Sequence, residues 1–155
     1  MLKEEQRNAV NWLTFDRPKR LNSFTGADYR DLRIAVLRAA ADLSTRVIVL
    51  TGNGRAFSAG ADRSLFDGNA SAADRARAGE EFDAMLAALI GCKKPIIAAV
   101  NGLAVGIGCT LLLHCDLVIV AESAMPRLPF TSLELVPEAG SSALLPARAP
   151  WGQAV

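Results

Sequence analysis

The sequence predicts an α/β fold built on a parallel sheet, in one domain spanning 1–155. Three observations predict it. Segments of strand and helix character alternate along the chain. The run Arg46-Val47-Ile48-Val49-Leu50-Thr51 is β-branched and almost wholly apolar, as a parallel strand buried on both faces requires. Two such strands are followed by glycine-bearing turns, the pattern of β-α-β units with right-handed crossovers.

Each element has its own warrant. Val10–Phe15 alternates as a strand, and Arg17-Pro18 ends it. Thr25 with Asp28 resembles a capping box. Tyr29, Leu32, Val36, Leu37 and Ala40 then recur at helical spacing, so Asp28–Asp42 reads as an amphipathic helix. Gly52 and Gly54 close the Arg46–Thr51 strand. Ser71 with Asp74 forms a second capping box, and Phe82, Met85, Leu86 and Leu89 face a helix that ends near Gly91. A strand over Ile96–Val100 turns at Asn101-Gly102. Ile107–Cys115 is apolar on nearly every face and reads as a buried helix. Leu117–Ala121 is the next strand, Glu122–Pro137 reads as irregular, and Ser141–Leu145 opens a further helix. A new element begins at Trp151-Gly152.

Composition narrows the function classes. With 51% apolar and 21% charged residues the chain can build a core. Its 17 basic and 16 acidic residues are scattered, which excludes a nucleic-acid footprint. Cys92, Cys109 and Cys115 are odd in number and lack a C-x-x-C spacing, so they read as three buried thiols in a reducing compartment. One histidine, His114, and scattered acids make no metal set, and His114 reads as a packed or rim residue. Met1–Asn11 is not a secretory signal, so a cytoplasmic setting is expected. The apolar stretch Ile96–Leu113 is broken by Asn101, Gly102, Gly106 and Gly108, which argues for strand, turn and helix over a membrane span.

The chemistry is expected at the two turns. Phe57-Ser58-Ala59-Gly60-Ala61-Asp62 and Asn101–Gly108 follow buried strands, and in open α/β sheets ligands sit beyond the carboxyl ends of strands. The second turn opens a helix, whose first N–H groups lack intrahelical partners and can receive negative charge. Gly102, Gly106 and Gly108 fit neither a dinucleotide fingerprint nor a P-loop. Close helix–strand packing alone is the competing explanation of the same glycines.

These residues resemble the enoyl-CoA hydratase/isomerase (crotonase) family. The resemblance rests on Phe57–Asp62, Lys94-Pro95-Ile96-Ile97-Ala98-Ala99-Val100-Asn101-Gly102 and Gly106-Ile107-Gly108-Cys109. Asp16-Arg17-Pro18 with Asn22, and Cys115-Asp116, extend it from Val10 to Pro146. It implies a crotonase-like ββα spiral core lacking most of the C-terminal helical region. It also implies an acyl-CoA thioester substrate, with no cofactor beyond the coenzyme A of that substrate. The thioester oxygen falls between the N–H groups of Ala61 and Ile107, the latter standing where the family usually has glycine. Arg20, Ala59, Gly60, Ala61, Asp62, Ile107 and Phe130 are the implied substrate contacts. Arg20 could equally be a solvated cation, and Asp62 a local cap.

The resemblance also separates reactions. Hydratases of the family use two glutamates, and the corresponding positions here are Thr110 and Phe130. Glu138 remains, in Pro137-Glu138-Ala139-Gly140-Ser141-Ser142, which resembles the Δ3-Δ2-enoyl-CoA isomerase branch. A single carboxylate suffices to take a proton from C2 and return it to C4. The bland alternative for Glu138 is a first-turn acid complementing a helix dipole, and Glu134 is a weaker candidate base. Expectation therefore runs to double-bond isomerisation, with a hydratase-like lyase or a non-catalytic CoA-binding fragment as alternatives. Family members continue well past the position of Val155, and the first hairpin reads as abbreviated. Both imply apolar surface that needs a cover, and the resemblance implies a homo-oligomer, a trimer or hexamer.

Overall fold

The N-terminal strand β1 (Leu2–Arg7) pairs antiparallel with β2 (Val10–Phe15) in unbroken register, from Leu2 opposite Phe15 to Arg7 opposite Val10. Each strand of this hairpin is six residues long. Its first strand is charged because it lies at a sheet edge with its side chains in solvent. The computed structural model describes residues 1–66, 68 and 70–149, so the element expected at Trp151-Gly152 lies outside the described residues.

Helix α1 (Gly26–Ala41) starts at the predicted cap. Thr25 accepts from the Asp28 N–H, and the Asp28 carboxylate accepts from the Thr25 N–H in return. Its end is held by Lys94, whose ammonium donates to the carbonyls of Ala39 and Asp42. Strand β3 (Val47–Gly52) lies parallel to β2, and β4 (Ala56–Ser58) follows it. Helix α2 (Ala72–Gly91) is capped by Ser71 as its capping pair predicts. Strands β5 (Ile96–Val100) and β6 (Leu103–Val105) come next, then a single α-turn, α3 (Ile107–Thr110). The expected helix over Ile107–Cys115 therefore splits, continuing as a 3-10 turn over Leu111–His114. Strands β7 (Leu117–Val120) and β8 (Met125–Arg127) precede a 3-10 turn at Thr131–Leu133 and helix α4 (Ser141–Arg148). The stretch read as irregular thus contains a strand.

The strands sort into two sheets. One has five strands in the order β1-β2-β3-β5-β7, and the other three in the order β4-β6-β8. Apart from the first hairpin every pairing is parallel. From β3 onward the chain repeats strand, strand, helix, sending the first strand of each unit to the large sheet and the second to the small one. This is the ββα spiral that the family resemblance implies.

The core fills between sheet and helices. Phe15 meets Phe24 and Phe57 edge-on, with ring centroids 5.0 and 5.2 Å apart, and Tyr29 stacks on Phe24 at 5.4 Å. Cys115 is buried, but Cys92 and Cys109 are only partly so, which corrects the expectation of three buried thiols. Among the described residues no helix is long and apolar enough to cross a membrane.

Asn22 ties this core to the first turn. It is fully buried, with a left-handed backbone (φ 56°) that asparagine tolerates better than most residues. Its amide donates to the carbonyls of Asn53 (3.0 Å) and Ala56 (2.8 Å), and its side-chain oxygen accepts from the Arg17 N–H at 2.8 Å. Asn22→Ala should destabilise the fold by about 3 kcal/mol, because it strands buried backbone groups. Urea unfolding should show a lower midpoint at unchanged slope; a loss below about 1 kcal/mol would contradict this account of Asn22.

Candidate active site

Strands β4 and β6 pair in parallel, Ala56 opposite Leu103 and Ser58 opposite Ala104, so the turns that follow them leave the same end of the small sheet. Here the turns meet. A Cβ on Gly60 would lie 2.6 Å from the Val105 carbonyl oxygen and 3.8 Å from the Gly106 Cα. Only glycine permits that approach, and Gly60 also has φ +91°. The convergence expected from the sequence is present, though on short strands of the second sheet that the sequence did not reveal.

The first turn is pinned from behind. The Ala59 N–H donates to the Leu21 carbonyl at 2.8 Å, and the Gly60 N–H to Ser58 Oγ at 3.1 Å. An isolated parallel bridge joins Phe24 to Ala61 through the Gly60 carbonyl (2.8 Å) and the Asp62 N–H (2.7 Å). Successive N–H groups of an extended segment point to opposite sides, so the Ala61 N–H faces away from Phe24. In the second turn the Gly106 N–H donates to the Arg127 carbonyl of β8 at 3.1 Å. Ile107 is the first residue of α3, and its N–H has no helical acceptor. Among the described residues neither the Ala61 nor the Ile107 N–H donates to a backbone acceptor outside regular elements. Because α3 is one turn long, what it offers here is an unpartnered N–H and not a long helix dipole.

Both turns border a cavity of about 410 Å³. Ala59, Gly60, Ala61, Ile107 and Phe130 line it, as does Glu138. Helices α1 and α2 add Tyr29, Phe82 and Arg75, which sequence reasoning placed only on helix faces or passed over. Arg20 and Asp62 are not in the lining. Arg20 is exposed on the 3-10 turn Pro18–Arg20. The Asp62 carboxylate accepts from Ser23 Oγ at 2.7 Å and from the Ser64 N–H at 3.1 Å, which holds it below the usual carboxylate range. That is the local cap, one of the two readings the sequence left open. Glu134 is exposed, at the end of the Thr131–Leu133 turn, and lies outside the lining.

Glu138 precedes α4 and is not part of it, since that helix begins at Ser141 behind Gly140. The first-turn, dipole-complementing alternative is therefore corrected. Two left-handed residues, Ala139 (φ 53°) and Gly140 (φ 68°), turn the chain there, and His114 Nε2 hydrogen-bonds the Ala139 carbonyl at 2.9 Å. Thr110 Oγ1 donates to Glu138 Oε1 at 2.6 Å, whereas the buried Oε2 has no partner among the described residues. Burial pushes the Glu138 carboxyl above the ordinary glutamate value, and the Thr110 hydrogen bond opposes the rise. A carboxyl so placed can hold or accept a proton beside an apolar ligand. Among the described lining residues it is the sole carboxyl group.

Comparison with known proteins follows this geometry. The family model described as Enoyl-CoA hydratase/isomerase matches residues 5–154. A probable enoyl-CoA hydratase of Rhodobacter capsulatus is 40% identical over 92% of this chain and 54% of its own length. The 1,2-epoxyphenylacetyl-CoA isomerase of Escherichia coli is 39% identical over 88% of this chain and 53% of its own. A crystal structure of an enoyl-CoA hydratase/isomerase from Mycobacterium paratuberculosis superposes with a TM-score of 0.89 at 33% identity, covering 99% of this chain and 62% of the other. The chain thus spans about half the length of the curated relatives it matches.

Proposed function

The chain belongs to the enoyl-CoA hydratase/isomerase family, and from that membership and the chemistry of the cavity we propose an acyl-CoA-binding enzyme that moves a carbon–carbon double bond. In this reading the thioester oxygen accepts from the N–H groups of Ala61 and Ile107. Glu138 takes the C2 proton of a 3-enoyl-CoA, and the C–H electron pair passes into a dienolate held by the two donors. The same carboxyl then delivers the proton to C4, leaving a 2-enoyl-CoA and a regenerated carboxylate. Each preorganised donor aimed at the enolate oxygen is worth about 3–4 kcal/mol. No cofactor beyond the coenzyme A of the substrate enters the reaction.

The observation that carries isomerisation over hydration is the single carboxyl group in the described cavity lining. Hydration by the usual pair needs a second acid, and Thr110 and Phe130 stand at the corresponding positions. Relatives carry both hydratase and isomerase names, so a hydratase-like lyase is the second reading. The test is absorbance of the conjugated thioester on mixing the protein with 3-enoyl-CoA: growth supports isomerisation, and a flat trace refutes it. A homo-oligomer, trimer or hexamer, is part of the proposal. Exposed Leu117, Ile119 and Val120 of β7, with Met125 of β8, support a face that needs covering.

The proton-carrying role fixes the sign of two pH effects. The base works as carboxylate, so kcat should climb with pH through a midpoint above the ordinary glutamate value of 4.5. A carboxyl whose folded pKa is raised favours folding while protonated. That contribution is intact below the unfolded pKa and is lost as pH rises through the folded one. Glu138→Gln, which cannot ionise, should therefore gain stability relative to wild type as pH is raised from about 4 to about 8. Equal urea midpoints for the two proteins at both ends would contradict a buried, charge-disfavouring Glu138.

A further inference from the structure

Thr110 is fully buried at the end of α3, where a second acid would stand in a hydratase, and its hydroxyl is spent on Glu138. The 2.6 Å contact makes the carboxyl asymmetric: Oε1 is engaged and Oε2 is bare. A carboxyl on a loop has two soft side-chain torsions next to its plane, and an undirected one would share its proton between both oxygens. We infer that Thr110 is a positioning residue, which anchors Glu138 Oε1 so that Oε2 alone takes up and returns the substrate proton. The inference rests on Glu138 being the base.

Among the described residues the surroundings offer no other anchor. Neither Tyr29 on α1 nor Cys109 on α3 hydrogen-bonds this carboxylate; burial raises both above their ordinary values, Cys109 to about 11, and the Glu138 charge adds to the rise. Arg75 of α2 borders the cavity but donates to the Ala70 carbonyl at 2.6 Å. His114 engages the Ala139 carbonyl, not the carboxylate. Thr110 is thus the one hydrogen-bond donor to the Glu138 carboxylate among the described residues. A donor to the charged form also opposes the rise that burial causes.

The test has two arms. In the first, the Glu138 carboxyl carbon is observed by NMR in substrate-free protein, assigned by its loss in Glu138→Gln, and titrated in wild type, Thr110→Val and Thr110→Ser. The midpoint should rise by about one pH unit in Thr110→Val and return in Thr110→Ser. Thr110→Ala serves if the valine variant does not fold. In the second, kcat on 3-enoyl-CoA should fall about tenfold in Thr110→Val, with KM within about twofold and the acidic limb displaced upward; serine should restore both. Identical midpoints in wild type and Thr110→Val, or a loss that serine does not repair, would overturn the inference. If wild type fails to convert 3-enoyl-CoA, the proposed reaction falls, while the first arm still decides whether Thr110 holds Glu138.

Discussion

Glu138→Gln should lower kcat for conversion of 3-enoyl-CoA by about 10³-fold and leave KM within a few-fold. The substitution keeps the volume of the side chain and an oxygen able to accept from Thr110, so the loop before α4 has no reason to move. What disappears is the only carboxyl group in the described cavity lining. General acid–base catalysis contributes about 10²–10⁴-fold, and here one group performs both transfers, which places the loss well inside that range. A decrease of less than about tenfold would remove Glu138 from the mechanism. Stopped-flow absorbance at the conjugated thioester band reads the rate, and the gain in stability expected for the same variant at high pH shows that lost activity is not lost fold.

Gly60→Ala should damage the site from the other side. Its Cβ would lie 2.6 Å from the Val105 carbonyl oxygen, at a backbone φ of +91° that side chains rarely adopt. The two turns must then move apart, and with them the spacing between the Ala61 and Ile107 N–H groups. Loss of one aligned donor costs about 10²–10³ in kcat, so a decrease of that order is expected. Overpacking should also lower stability by about 1–3 kcal/mol. Gly91→Ala is the control, because nothing lies within 4 Å of its added Cβ at the end of α2. It should leave kcat unchanged and be neutral or slightly stabilising. Near-wild-type turnover in Gly60→Ala would contradict the role of the converging turns.

Legibility in the sequence followed length and burial. Strands β2 and β5 match their predicted bounds because each buries alternate residues over five or six positions. The three-residue strands β4, β6 and β8 carry no period to detect, although β4 and β6 bring the two turns together. Charged β1 has no apolar alternation to mark its bounds, because its pairing leaves the side chains in solvent. At the site, the glycines marked the two turns locally, and it was the family resemblance that singled out Ala61 and Ile107 within them. The meeting of Glu138 with Thr110 joins residues far apart in the chain, and no local pattern encodes it. Tyr29 and Phe82 were legible as core-facing helix residues, but that they also wall a cavity depends on how α1 and α2 pack. Arg20 and Asp62, expected among the substrate contacts, lie outside the cavity lining.

The most direct measurement is the mass and conjugation of the product when the purified chain meets 3-enoyl-CoA. The account predicts a product of unchanged mass with a conjugated double bond, formed by wild type and almost absent with Glu138→Gln. A product heavier by one water, or tight binding of the CoA ester without any product, would contradict it.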